Sequence, residues 1–235
     1  MTPASRLAGV IERTRVLLVD FDGPICAIFA GHPAPAVAEE LRQLVAALGG
    51  QIPTEPEAEE GPIRVLRLVA DSCPPPIVRA VADALRDAEL TATEAAEPTP
   101  GADDVLRAAQ ASGRSVAIVS NNSEDAVRRY LDRHTLGAYV DHVGARYNGM
   151  HPHLMKPHEH LIRRALDSLG TAPTAATLIG DSTSDVDAGR SAGIPVIGYA
   201  NKLGKRERLD AAGAVAVIES LAELAVAIRA ARPIR

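Results

Sequence analysis

The sequence contains no tryptophan, two cysteines and three methionines, and only 3% of its 235 residues are aromatic. So few aromatics leave no stacking platform for single-stranded nucleic acid. Cys26 and Cys73 form neither a C-x-x-C pair nor a zinc-type spacing. A disulfide between them stays open, but a reduced, cytoplasmic chain is the simpler expectation. Lysine is scarce too: Lys156, Lys202 and Lys205 are the only lysines among 25 basic residues. Against 30 acidic residues the net charge is −5, which is not the footprint of a general nucleic-acid binder. No apolar run approaches the ~20 residues needed to span a bilayer, and Met1–Arg15 has no apolar signal-peptide core. Neither nucleic acid nor membrane is therefore expected as a partner.

The remaining composition is that of an ordinary globular chain, with 46% hydrophobic and 23% charged residues. Its length allows one large domain or two small ones. Residues 16–19 (Val-Leu-Leu-Val) form a continuous apolar run, as a strand covered on both faces requires. Similar runs recur at 116–119, 175–179, 194–199 and 214–218. Helical patterns separate them at 101–112, 123–132, 157–169, 183–191 and 219–231. Asn122 is expected to cap the second of these, and Pro157 to open the third. Strands alternating with helices predict an α/β fold with a doubly wound parallel sheet.

Residues 24–97 break this alternation. They read as helices over 34–48, 62–70 and 75–89, with no convincing strand pair. Gln51 to Gly61 reads as an acidic, proline-containing, mobile loop. The segment leaves just after the first strand and returns near Glu97–Gly101, which predicts a helical insertion.

Three apolar runs end in polar residues: Asp20 and Asp22, Ser120 and Asn121, and Asp181 with Asp185 close behind. In an open parallel sheet, ligands bind beyond the carboxyl ends of the strands, so these residues converge on one site. Four carboxylates brought together repel unless a cation is present. Oxygen-only donors favour a hard ion, and Mg²⁺ is the natural choice. With Lys156 as a balancing ammonium, the set describes phosphoryl transfer.

The sequences Asp20-Phe-Asp22-Gly23, Ser120-Asn121, Lys156-Pro157 and Gly180-Asp181-Ser182-x-x-Asp185-x-x-Ala188-Gly189 resemble the four motifs of the haloacid dehalogenase-like hydrolase superfamily. They span residues 16–200, most of the chain, and the pattern is similar to the phosphoglycolate phosphatase and β-phosphoglucomutase-like branch. The resemblance implies a core of 1–23 and 98–235, with 24–97 as an α-helical C1 cap. It implies Asp20 as nucleophile through an aspartyl-phosphate, and Asp22 as general acid, then base. Gly23, Ser120, Asn121 and Lys156 would bind the phosphoryl group. Asp20, the main-chain carbonyl of Asp22, Asp181 and Asp185 would hold or support Mg²⁺. Because dehalogenases of this fold lack an acid at the Asp22 position, the resemblance favours a small phosphomonoester as substrate. A phosphomutase and a catalytically silent phospho-ligand-binding protein remain the alternatives, and monomer and homodimer are both open. Pro24 departs from the family pattern near the expected hinge, where it removes an N–H and a hydroxyl.

Other features read as structural. His151, His153, His158 and His160 do not match zinc spacings and suit loop and helix surfaces. Gly198 to Lys205 only superficially resembles a P-loop, because Arg206 stands where Ser or Thr is needed. Asp187 reads as a solvated or capping residue. Arg64 and Arg67, one helical turn apart, could meet a substrate carboxylate or second phosphate, with a solvated face the blander reading.

Overall fold

The computed structural model describes residues 3–53 and 61–234. α1 (Pro3–Ile11) leads to β1 (Val16–Val19), whose four residues are all buried. Leu17 and Val19 enter one apolar cluster and Val16 and Leu18 another, as the pleat of a strand covered on both faces demands.

The chain then leaves through β2 (Cys26–Ala27) into three helices, α2 (Ala34–Ala47), α3 (Pro62–Ser72) and α4 (Pro75–Ala92). It returns through β3 (Glu97–Pro98), antiparallel to β2. This short ribbon corrects the expectation of no strand pair; two-residue strands carry no periodicity to read. Prolines open α3 and α4, where the missing N–H costs nothing. Val37, Leu41, Val65, Val69, Val81 and Leu85 share one buried cluster among the three helices. Of the expected loop over 51–61, residues 54–60 lie outside the described residues.

The rest alternates: α5 (Ala102–Ala111), β4 (Ser115–Ser123), α6 (Glu124–Arg133), β5 (His142–Arg146), α7 (His160–Ser168), β6 (Ala176–Gly180), α8 (Thr183–Ala192), β7 (Val196–Tyr199), α9 (Lys205–Ala212), β8 (Ala216–Ile218) and α10 (Leu221–Ala230). The strands form one parallel sheet in the order β5-β4-β1-β6-β7-β8. From β1 the chain builds outward through β4 to β5, then crosses back to β6 and on to β8. The carboxyl end of β1 therefore lies at the switch point, where a doubly wound sheet opens a crevice.

Three elements had no expectation: α1, β5 and α9. In α9, Lys-Arg-Glu-Arg-Leu-Asp-Ala-Ala buries only Leu209, so no apolar stripe marks it. Two helix starts also move. Ser123, not Asn122, caps α6, accepting from Ala126 N, because Asn122 turns its amide to Glu89 instead. α7 begins at His160, not at Pro157. The backbone N–H and C=O of Lys156 are both bonded to the Asn121 carboxamide, so the chain there serves the site before it turns helical.

Candidate active site

Asp20 directly follows β1 and is 8% exposed. Its Oδ1 accepts from Phe21 N at 2.7 Å and from Lys156 Nζ at 2.8 Å. The Lys156 ammonium uses all three protons: the others go to Asp185 Oδ1 at 2.6 Å and to Val119 O at 2.9 Å. Lys156 is 2% exposed and Asp185 fully buried. Burial alone would lower the Lys156 pKa, but the Asp185 and Asp20 carboxylates outweigh it and hold the ammonium above its usual value. Burial, then Asp185, pushes Asp20 up to about 8 against the pull of Lys156. Asp22 is also raised, to about 6, by burial, with the Ile28 N–H opposing through its bond to Oδ1 at 3.2 Å.

A cavity of about 270 Å³ opens onto Asp20, Asp22, Ser120, Asn121, Lys156 and Asp181. The i, i+2 spacing thus sets Asp20 and Asp22 on the same side, as expected. Ser120 and Asn121 reach the cavity on an irregularity of β4. The pairing with β5 runs Ser120 to Ala145 and resumes at Ser123 to Arg146, so Asn121 and Asn122 bulge out. Ser120 Oγ accepts from Asn122 N at 3.2 Å and donates to Asn122 Oδ1 at 3.1 Å. Asn121 spends its side chain on Lys156, giving Nδ2 to its carbonyl at 3.0 Å and Oδ1 to its N–H at 2.8 Å.

Two expected site residues sit differently. Gly23 does make the turn, at φ +104°, but its own amide donates to Cys26 O at 2.7 Å and is not offered to a phosphate. Its missing Cβ matters more: a Cβ there would fall 2.5 Å from the Asp181 carboxyl carbon. Asp185 does not line the cavity. Oδ1 takes Lys156, and Oδ2 takes Ser182 Oγ at 2.6 Å and Ser182 N at 3.1 Å. Its part is to brace Lys156 and the start of α8 (a capping box).

The residues suit a divalent cation. Oxygens of Asp20, Asp181 and Asp185 lie within 4.8 Å of one another, and the set contains no nitrogen or sulfur donor. Only Lys156 and Lys205 form ion pairs with these three carboxylates among the described residues, leaving Asp22 as further negative charge. Asn201 gives Nδ2 to Asp181 Oδ2 at 3.0 Å and keeps Oδ1 buried without a partner among the described residues, one more oxygen beside the cluster. Hard oxygen donors in this number fit Mg²⁺ or a similar ion.

Several residues had no place in the sequence reading. Lys205 pairs with Asp181; its signal was the one that marked Lys156, a rare lysine in an arginine-rich chain. Thr99 donates to Gly23 O and ties the returning chain to the turn after β1. Glu89 of α4, wholly buried, accepts from Arg146 Nη2 at 2.6 Å, Ser123 N at 2.8 Å and Asn122 Nδ2 at 3.2 Å. Arg146 Nε in turn holds Asn121 O at 3.0 Å. No local pattern distinguishes a helix glutamate destined for burial from a solvated one.

His153 reaches Asp71 at 3.1 Å and His160 reaches the Tyr147 hydroxyl at 3.2 Å; among the described residues no histidine joins a metal-type cluster. Asp187 pairs with Arg190 on the surface of α8. Cys26 is buried and Cys73 half-buried, and both are free thiols. Among the described residues no helix is long and apolar enough to cross a membrane.

Similarity to known proteins agrees with this geometry. A phosphoglycolate phosphatase of Rhodospirillum rubrum is 33% identical over 130 residues, covering 53% of this chain and 50% of the relative. The pyrophosphatase PpaX of Bacillus velezensis is 31% identical over 112 residues, 48% of this chain and 50% of the relative. The chain thus spans about half the length of the curated relatives it matches. The fold of CbbY from Rhodobacter sphaeroides, solved with xylulose-1,5-bisphosphate, superposes with a TM-score of 0.67 at 19% identity, over 89% of this chain and 96% of that one. The family model for haloacid dehalogenase-like hydrolases matches residues 69–199, a stretch carrying Ser120, Lys156, Asp181 and Asp185. That match covers more than half of the chain, and the carboxylates after β1 meet the matched residues in one crevice; the chain belongs to the haloacid dehalogenase-like hydrolases.

Proposed function

We propose that the protein is a phosphatase acting on a small phosphomonoester, with Asp20 as nucleophile. The observation that carries this is the single cavity bringing Asp20 and Asp22 together with Ser120, Asn121 and Lys156. Phe21 N and Lys156 Nζ occupy Asp20 Oδ1, and Oδ2 carries no hydrogen bond among the described residues. Asp20 Oδ2 attacks phosphorus and the ester P–O bond breaks. Asp22, protonated near its raised pKa of about 6, gives its proton to the departing alkoxide. Water then attacks the aspartyl-phosphate, Asp22 takes its proton, and inorganic phosphate leaves with Asp20 regenerated. Lys156 keeps its charge throughout and faces the anionic phosphoryl group. Ser120 turns its hydroxyl from Asn122 Oδ1 to a phosphoryl oxygen. Asp20 and Asp181 would hold a divalent cation, Mg²⁺ by their donor type, whose charge would offset these carboxylates and the phosphoryl oxygens.

The segment 24–97 is read as a C1 cap over a core of 1–23 and 98–235. Phe29, Ala34, Pro62 and Ile63 line the same cavity as the carboxylates, which supports a lid that excludes water. The names of the matched relatives support phosphate hydrolysis in general and leave the ester to experiment. The test is phosphate release from a panel of phosphomonoesters with Mg²⁺, with chelator and with Asp20→Asn. Release that requires metal and disappears in Asp20→Asn is expected. No release from any ester in the presence of Mg²⁺ overturns the reading.

A further inference from the structure

The stretch from Gly198 to Lys205 is no P-loop, yet the fold brings it to the carboxylate cluster. Ala200 follows β7 and fixes its N–H on Ile218 O of β8 at 2.8 Å. Gly204, at φ +80°, then turns the chain into α9, so that Lys205, the first residue of that helix, comes back to Asp181. Between these anchors stands Asn201. Asn201 Nδ2, at 3.0 Å, and Lys205 Nζ both donate to Asp181 Oδ2. Asp181 Oδ1 accepts no hydrogen bond among the described residues. The Gly23 backbone confines the same carboxyl group, since a Cβ there would fall 2.5 Å from its carbon. The Asn201 carboxamide can face Asp181 only by its nitrogen, because its oxygen would set two acceptors together. That leaves Asn201 Oδ1 buried with no partner among the described residues. Such an oxygen costs free energy unless a proton or a cation meets it. Beside the oxygens of Asp20, Asp181 and Asp185, a hard cation with its water shell meets that need.

We infer that Asn201 is a positioning residue of the cation site: it holds Asp181 by Oδ2, so that Oδ1 is the oxygen left for a divalent ion. This rests on the reading of Asp181 as a metal ligand. Partners that orient a ligating carboxylate commonly set metal affinity by about 10–100-fold. Of the two donors, Asn201 is the informative one because it is neutral. Removing Lys205 takes away a donor and also a positive charge that repels the cation, two effects of opposite sign.

The experiment is calorimetric binding of Mg²⁺ to the full chain, wild type against Asn201→Ala and Leu203→Ala. Leu203 lies on the same loop, is fully exposed and serves as the control. Asn201→Ala is expected to weaken Mg²⁺ binding about tenfold or more, and Leu203→Ala to leave it unchanged. Asn201→Leu, matched in size and without polar atoms, repeats the test where truncation itself disturbs the loop, and the same weakening is expected. Phosphate release gives a second readout. Asn201→Ala should need more Mg²⁺ for half-maximal rate, while kcat at saturating Mg²⁺ stays near wild type. Weakened Mg²⁺ binding in Asn201→Ala without turnover of any ester by the wild type leaves the inference standing and removes the phosphatase reading. Unchanged affinity in Asn201→Ala, an equal loss in Leu203→Ala, a kcat that saturating Mg²⁺ does not restore, or no Mg²⁺ binding by the wild type overturns the inference.

Discussion

Glu89 offers the sharpest test of how the inserted helices are fastened to the site. It is buried against Arg146, itself 6% exposed, and it also satisfies the Ser123 amide and the Asn122 side chain. Glu89→Ala leaves a buried guanidinium without its counter-charge, which costs about 3–5 kcal/mol. The orphaned Ser123 N–H pushes toward the upper end of that range. For a chain of this size, each kcal/mol lowers Tm by about 2–4 °C, so the expected fall is roughly 6–20 °C. Glu94 is the internal control. It makes two short contacts, to Arg129 and Arg133, but it is 45% exposed. Water and salt screen it, and Glu94→Ala should not shift Tm measurably. Counting ion pairs alone would rank Glu94, with two arginines, above Glu89, with one. Replacing both buried partners, Glu89→Leu with Arg146→Met, should recover much of the loss, because it removes the stranded charge. Thermal melts followed by circular dichroism decide the matter. A fall below about 2 °C for Glu89→Ala, or an equal fall for Glu94→Ala, refutes the reasoning.

Gly23→Ala should impair metal use more than folding, since its Cβ would meet the Asp181 carboxyl at 2.5 Å from a backbone at φ +104°. The Mg²⁺ concentration for half-maximal activity is expected to rise about tenfold or more, and an unchanged value counts against Asp181 as a ligand. Asp22→Asn should slow turnover by about 10²–10⁴, the ordinary weight of general acid–base catalysis, and less for aryl esters with good leaving groups. An equal loss for both ester types would remove the acid role. The raised pKa of Asp22, about 6, sets the pH dependence. The acid must be protonated, so kcat/KM for alkyl esters at saturating Mg²⁺ should fall as pH rises through about 6. That limb should vanish in Asp22→Asn, and its persistence would assign it to another group.

Much of this protein is legible one residue at a time. Val16–Val19, Val116–Val119 and Ala216–Ile218 announce buried strands because a parallel sheet must be apolar on both faces. Asp20, Ser120 and Asp181 announce a site because each stands where such a strand ends. Local pattern fails where the decisive partner is distant in sequence. α9 shows one buried apolar residue in eight, and only the fold brings its Lys205 to Asp181. Gly23 reads locally as a turn, while its second reason, room for a carboxylate 158 positions later, needs three dimensions. Asp185 joins the carboxylate cluster with Asp20 and Asp181, but only the fold shows that its oxygens also serve Lys156 and Ser182. Glu89 is the clearest case. It is the one glutamate of α4, and nothing beside it in the sequence marks it for burial. Its burial is tolerable only because Arg146, 57 positions away, arrives beside it. Periodicity and strand-end chemistry are short-range properties that sequence determines alone. The pairing of buried charges, and which carboxylates stay free to act, depends on the desolvation and Coulomb terms that exist only once the sheet and the inserted helices have closed on each other.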